Sequence, residues 1–294
     1  MSRRREVAAA TWLAIATMAA GCGEDGRGTA KFTTWGEVYI MDSIPPDPSG
    51  DAGFVDGWTL TYDKFLVAFH GITLANDRGE TAATMSGSLL VDNKPEGRKD
   101  LVTFTDVPSG AWNRVSYQIK PALADSGLVS AQPADRDLMV TNGYSIYVSG
   151  AATKPDSGQT ISKTFRWGFT TATQYSECQQ AAESGQAIQG VVIPAGGTDV
   201  SELTTHGDHL YYDRLMASPD PAVKTSLRFD EKAAADTDGD GEITLAELEA
   251  TPIDVRKYNP SGLPAANLGA FMTALARTIG HFRGEGECQV STIR

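Results

Sequence analysis

The chain has 294 residues, 25 basic and 37 acidic, for a net charge of −12, and 41% of it is hydrophobic. That composition excludes intrinsic disorder and suffices for one or two units with real cores. The acidic balance, with no basic run beyond Arg3-Arg4-Arg5, excludes a nucleic-acid interface and disfavours an anionic membrane surface as a direct ligand.

The first element is an address. Arg3, Arg4 and Arg5 precede an uncharged apolar run, residues 7–20, too short to span a bilayer and suited to the core of a signal peptide. It ends in Ala19-Ala20-Gly21-Cys22 and turns polar at Gly23-Glu24-Asp25. Small residues before a cysteine at that point resemble a bacterial lipobox. The resemblance implies that residues 1–21 are removed and that Cys22 becomes a lipid-modified first residue. The chain would then be held in the cell envelope by its lipid, at the outer membrane or cell surface rather than the inner membrane. Removal of the leader leaves 22 basic against 36 acidic residues. Export leaves Cys178 and Cys288 in an oxidising compartment, where one disulfide is expected.

Residues 22–57 read as anchor, tether and a Pro/Gly/Asp-rich loop with a first strand; the tether proper is residues 23–31. Residues 58–205 read as a β domain. Apolar residues alternate at Trp58-Leu60-Tyr62, at Val115-Tyr117-Ile119, at Tyr144-Ile146-Val148 and at Phe165-Trp167-Phe169. Short alternating runs separated by turn residues predict an antiparallel β-sandwich. Asp106-Val107-Pro108-Ser109-Gly110-Ala111-Trp112 and the strand after it resemble transthyretin-like sandwich domains of bacterial lipoproteins. Residues 206–294 read as a helical segment. Leu210, Leu215 and Met216 predict a short helix. Leu268, Phe271, Met272, Leu275, Ile279 and Phe282 predict a longer one over 265–283, bounded by Pro264 and Gly284.

Residues 236–247, D-T-D-G-D-G-E-I-T-L-A-E, carry the strongest motif. Asp236, Asp238 and Asp240 stand at alternate positions, Gly241 where the chain must turn, Glu242 where a backbone carbonyl is the ligand, and Glu247 at the twelfth position. Ca²⁺ takes roughly 6–8 oxygens, and a tight loop aims alternate side chains inward to supply them. The run resembles an EF-hand loop, with Ile243 as apolar anchor and Thr244 able to hold a water. The exit helix is present before Pro252, but Arg228, Glu231 and Lys232 stand where the family's entering helix is apolar. No second loop exists to pair with it, so a weak structural calcium of roughly 10⁻⁴–10⁻³ M affinity is expected.

His206 and His209 form H-x-x-H around Asp208, and residues three apart share a helical face. With His281 folded back by a Cys178–Cys288 staple, two or three imidazoles and a carboxylate could hold zinc or copper. Capping by Thr205 or Asp208 with exposed histidines is the plainer alternative. No metalloprotease, serine-hydrolase or phosphate-loop motif occurs. The chain thus resembles exported bacterial lipoproteins with a single EF-hand-type loop, in which the sandwich has a binding or structural role. The alternative is a transition-metal binder, or a metal-dependent hydrolase, using His206, His209 and His281. A glycan- or protein-binding sandwich using Trp35, Trp58 and Trp112 is a third reading.

Overall fold

The computed structural model describes residues 26–50, 52–181 and 187–293. The leader and Cys22 readings lie outside them. The strands are β1 (Arg27–Gly36), β2 (Thr59–Ala75), β3 (Thr81–Thr84), β4 (Ser88–Asp92), β5 (Lys99–Pro108), β6 (Gly110–Trp112), β7 (Arg114–Ile119), β8 (Gly127–Val129) and β9 (Ile146–Asp156). They continue with β10 (Gln159–Phe169), β11 (Thr173–Ser176), β12 (Gln179–Gln180), β13 (Ile188–Gln189), β14 (Val191–Ile193) and β15 (Thr198–Thr205). The last are β16 (Glu242–Thr244), β17 (Gly280–Phe282) and β18 (Gln289–Thr292). The helices are short: α1 (Val38–Met41), α2 (Pro133–Asn142), α3 (Asp230–Ala233), α4 (Leu245–Ala250), α5 (Leu268–Leu275) and a 3₁₀ turn at Asp208–Tyr211.

The protein is mainly β, built on two mixed sheets. The larger has the order β16-β10-β9-β2-β7-β11-β18, with β3 and β4 also paired to β2 and β8 paired to β4. The smaller has the order β17-β15-β1-β5. Side chains from both enter one buried cluster: Phe32 and Leu203 from the smaller sheet, Tyr62, Phe65, Tyr117, Phe165 and Trp167 from the larger. The expected alternation is the cause, because successive strand side chains point to opposite faces. On the other face of the larger sheet, Leu66, Ala68 and Leu90 pack against Met139 of α2.

Three pairings are parallel: β1 with β15, β4 with β8, and β10 with β16. The expected sheet was antiparallel throughout. Alternation reports which face a residue occupies, but it carries no strand direction, so parallel pairs escape it. The stretch read as a tether is also different, since β1 starts at Arg27 and lies between β15 and β5. The predicted helix at 265–283 runs only over Leu268–Leu275. Asn267 caps its start by accepting from Ala270 N–H at 2.8 Å. Thr278 Oγ1 caps its end by donating to Leu275 O at 2.8 Å. Ile279 and Phe282 keep a helical spacing, yet the chain there becomes β17, because the edge of β15 offers a ladder. Leu215 and Met216 lie outside any helix, past the 3₁₀ turn. The C-terminal third therefore adds strands to both sheets instead of forming a purely helical segment. Cys178 and Cys288 are joined in a disulfide.

The aromatic candidates are mostly interior. Trp58 and Trp112 are buried, with indole N–H groups donating to Asp230 Oδ1 and Pro108 O. No helix among the described residues is long and apolar enough to cross a membrane.

Lys232 of α3 is fully buried (0% exposed). Its ammonium donates to Arg228 O at 3.0 Å and lies 5.7 and 5.1 Å from the ring centres of Tyr211 and Tyr258. Burial lowers its pKa to about 8, although Asp56, Glu231 and Asp213 work in the opposite direction. Between about pH 8 and the ordinary lysine value of 10.5 the unfolded chain binds the extra proton, so this group makes stability rise with pH across that window. The shift corresponds to about 3 kcal/mol. In denaturant melts of wild type and Lys232→Met at pH 7.5 and 10.5, wild type should gain about that much relative to the variant at the higher pH. Parallel pH profiles would show that Lys232 does not titrate low.

Candidate metal centre

Among the described residues, metal-ligating side chains gather at two places that are built differently. The first stands where β15 leaves the smaller sheet. β17 pairs antiparallel with β15 in the register Leu203↔Phe282, Thr204↔His281 and Thr205↔Gly280. This register brings His281 next to His206, whose N–H donates to Ile279 O at 2.9 Å. The chain then turns through Gly207, where a Cβ would meet Ile40 at 2.6 Å and Tyr62 at 3.0 Å. The 3₁₀ turn that follows returns His209 to the same place. The ring centres lie 4.3 Å apart for His206–His281, 4.9 Å for His209–His281 and 5.3 Å for His206–His209. All three histidines and Asp208 are buried.

Their chemistry suits a cation. Burial lowers the pKa of His209 to about 4, with His206 adding to the effect. Burial, then His209 and His206, lower that of His281 to about 3. Neutral imidazole, the metal-binding form, is therefore the resting state of both at neutral pH. His206 Nε2 and His281 Nδ1 are buried without a hydrogen-bond partner. Buried polar atoms left unpaired cost free energy, which a ligand would recover. Two other ring nitrogens are oriented from behind: His206 Nδ1 lies 3.4 Å from Glu37 Oε2, and His209 Nδ1 lies 3.0 Å from Thr278 Oγ1. Glu37 also accepts from Gly207 N–H at 3.0 Å. Burial first, and then Asp208, raise its pKa to about 10. Asp208 Oδ2 accepts from the Tyr212 hydroxyl at 2.9 Å, and its Oδ1 is unpartnered. A cleft of about 300 Å³ opens beside the group, lined by His209, His281, Tyr212, Thr278, Glu285 and Glu287.

Ligand atoms of His206, Asp208 and His209 lie within 4.8 Å of one another, and so do those of His206, His281 and Glu285. The four residues expected from the sequence thus fall in two sets that share His206, and of the histidines only His209 lies on a helical turn: His206 follows a strand and His281 sits in one. Glu37, Thr278 and Glu285 carry no sequence signal. His70 lies apart, buried in β2, with its pKa lowered to about 4 by burial and by Lys120.

The second group is the 236–247 loop. Asp236 Oδ1 accepts from Gly239 N–H and Oδ2 from Gly241 N–H. Asp238 Oδ1 accepts from Asp240 N–H, and Asp240 Oδ1 from Glu242 N–H. Glu247 reaches back so that Oε1 accepts from Thr237 N–H and Oε2 from Thr244 N–H. Gly239 and Gly241 have φ of 76° and 88°, left-handed values that a glycine adopts freely. Carboxylate oxygens of Asp236, Asp238 and Glu247 lie within 4.8 Å of one another; Asp240 and Glu242 stand outside that set. The Glu242 side chain pairs instead with Arg166 at 3.4 Å.

The loop has a partner after all. β16, at positions seven to nine of the loop, pairs with Thr164–Arg166 of β10, and Ile243 is buried opposite Phe165. Trp167 Nε1–H donates to Ile243 O at 2.8 Å. The edge of the larger sheet thus braces the loop. It also supplies a cation: the Lys163 ammonium pairs with Asp236, whose side chain is fully enclosed.

Comparison with protein-family models finds no match, and comparison with curated proteins finds none. Among solved structures, MbnP from Methylosinus trichosporium is distantly similar, at 12% identity and a TM-score of 0.32, over 63% of this chain and 76% of that one.

Proposed function

We propose that this chain is an exported metal-binding protein with two ions of different duty. A transition-metal ion, zinc or copper, is held by His206, His209 and His281 with Asp208 beside them, and a calcium ion in the 236–247 loop stabilises the fold. The observation that carries the reading is the convergence of three buried imidazoles from two chain segments, with nitrogens of His206 and His281 that lack partners. His70 Nε2 is also buried without a partner but stands alone, whereas the unpartnered nitrogens of His206 and His281 belong to rings 4.3 Å apart. Export and a lipid anchor at Cys22 remain part of the proposal, supported by the leader sequence and by the disulfide. Binding is favoured over hydrolysis, because the sequence carries no metalloprotease or serine-hydrolase motif.

Metal analysis of protein purified without chelator should find zinc or copper near one equivalent. His206→Ala/His209→Ala should lose that ion while keeping calcium binding. Equal transition-metal uptake by variant and wild type would overturn the centre.

The calcium reading rests on twelve consecutive residues in register and on the sheet edge that braces them. Binding to the folded state alone raises stability by RT ln(1 + [Ca²⁺]/Kd), about 2.7 kcal/mol at a hundredfold excess. Wild type should melt higher in millimolar Ca²⁺ than in EGTA, and Asp236→Ala and Glu247→Gln should erase the difference. Lys163 competes with the ion for Asp236. Lys163→Met should therefore tighten calcium binding roughly two- to fivefold, the net size of a partly exposed ion pair. Identical wild-type melts with and without calcium would show the loop to be a surface turn.

A further inference from the structure

The histidine centre is closed by protein on most sides, and its solvent side carries carboxylates that the imidazole set does not use. Residues 283–288 join β17 to β18 there. Phe282 N–H donates to Gly286 O at 2.8 Å, and Arg283 and Gly284 take left-handed φ of 53° and 78°, so the chain doubles back sharply. Both ends of this reversal are held. The Arg283 guanidinium donates to Asp199 and Ser201, and Gly284 N–H donates to Thr204 Oγ1 at 2.9 Å. On the far side the disulfide ties Cys288 to Cys178. Glu285 stands at the tip, exposed, with no hydrogen bond or ion pair among the described residues. A carboxylate oxygen of Glu285 nevertheless lies within 4.8 Å of ring nitrogens of both His206 and His281.

We infer that Glu285 is the fourth protein ligand of the ion held by His206, His209 and His281, which makes the centre a three-imidazole, one-carboxylate site for a divalent ion of the zinc or copper(II) kind. The inference rests on the transition-metal reading given above. Two physical arguments select Glu285. First, three neutral imidazoles leave a divalent charge uncompensated in a buried site, and a carboxylate offsets half of it. Second, the two carboxylates in reach differ: Asp208 groups with His206 and His209 and has Oδ2 taken by Tyr212, with only Oδ1 unpartnered, whereas Glu285 groups with His206 and His281 and has neither oxygen engaged. The ligand chemistry follows. No Cys or Met lines the cleft, so the donors are nitrogen and oxygen, which suit borderline divalent ions. Glu287 lines the same cleft and makes its mouth acidic, which raises the local cation concentration. With three ligands buried and the fourth exposed, the ion can be gained or lost at Glu285 without opening the core.

The test is a competition titration of Zn²⁺ and Cu²⁺ against a chelator of known affinity. It uses the full exported chain with its disulfide intact, in millimolar calcium so that the other loop is filled. Glu285→Gln should bind either ion roughly ten- to a hundredfold more weakly than wild type, with an altered copper(II) electron paramagnetic resonance spectrum. Asp156→Asn, which removes the same charge at a distant exposed hairpin, should bind like wild type. Both variants alter exposed side chains, and thermal melts matching wild type verify the fold. If Glu285→Gln matches wild type in affinity and spectrum while His206→Ala/His209→Ala fails to bind, Glu285 is not a ligand and the histidine centre stands. An equal loss in Asp156→Asn would reduce the effect to net charge and overturn the assignment. If wild type binds neither ion, the centre itself fails and the assignment with it.

Discussion

The pairing of β17 with the edge of β15 is the contact on which the candidate centre depends. It spans only Gly280–Phe282, yet it sets the position of every ligand around it. Its register puts His281 across from Thr204, one residue from the strand end that delivers His206. The pairing also lies flat on the larger sheet, and Gly280 is what permits this. A Cβ there would meet Tyr117 Oη at 2.6 Å and the Tyr175 ring at 2.9 Å. Those two tyrosines stack at 4.6 Å and belong to β7 and β11. Tyr117 Oη–H donates to His281 O, and Tyr175 Oη–H donates to Arg277 O, so the larger sheet holds the segment that carries the ligand. A glycine is required because the two sheets approach closely at this point, not because of a turn.

The 236–247 loop is placed by the same kind of economy at the opposite edge. A loop of this type exposes a short strand that needs a neighbour, and β10 is long enough to lend three residues to it. Ile243 then enters the main core beside Phe165 and Trp167. Any ordering of the loop is thereby transmitted to a strand of the larger sheet. Lys163, on that same strand, pairs with Asp236 and offsets part of the charge that the clustered carboxylates of Asp236, Asp238 and Glu247 would otherwise concentrate.

The fold also retains buried groups whose ordinary charge it disfavours. Lys232 sits between two tyrosine rings, and Glu37 sits against Asp208 with its pKa raised. Each opposes stability when ionised, and each is tolerated because hydrogen bonds or aromatic faces surround it. Glu37 stands behind His206, where it orients an imidazole. His70 also keeps a buried Nε2 without a partner, but it belongs to none of the groups of metal-ligating side chains among the described residues.

How much of this was legible in the chain follows from how far apart the contributing residues are. The 236–247 loop could be read directly, because twelve consecutive residues carry both its turn glycines and its acidic side chains. The mainly β character was legible from Trp58 to Phe169, because alternation records which face of a sheet is buried. His206 and His209 could be singled out by spacing, and His281 only as a candidate to join them. The strand that brings His281 in was not visible, since Leu268–Phe282 holds a helical spacing and only the free edge of β15 decides that its end is extended. Glu37 and Glu285 could not be found at all. Each is an ordinary acidic residue in an acidic chain, and it acquires a role only where β1, β15 and β17 come together. The sequence by itself determined the local loop and the sheet faces, whose causes lie within a few residues. Tertiary structure alone decided strand direction, the assembly of the histidine centre and which carboxylates face it, because those depend on pairings between segments as much as about 170 residues apart.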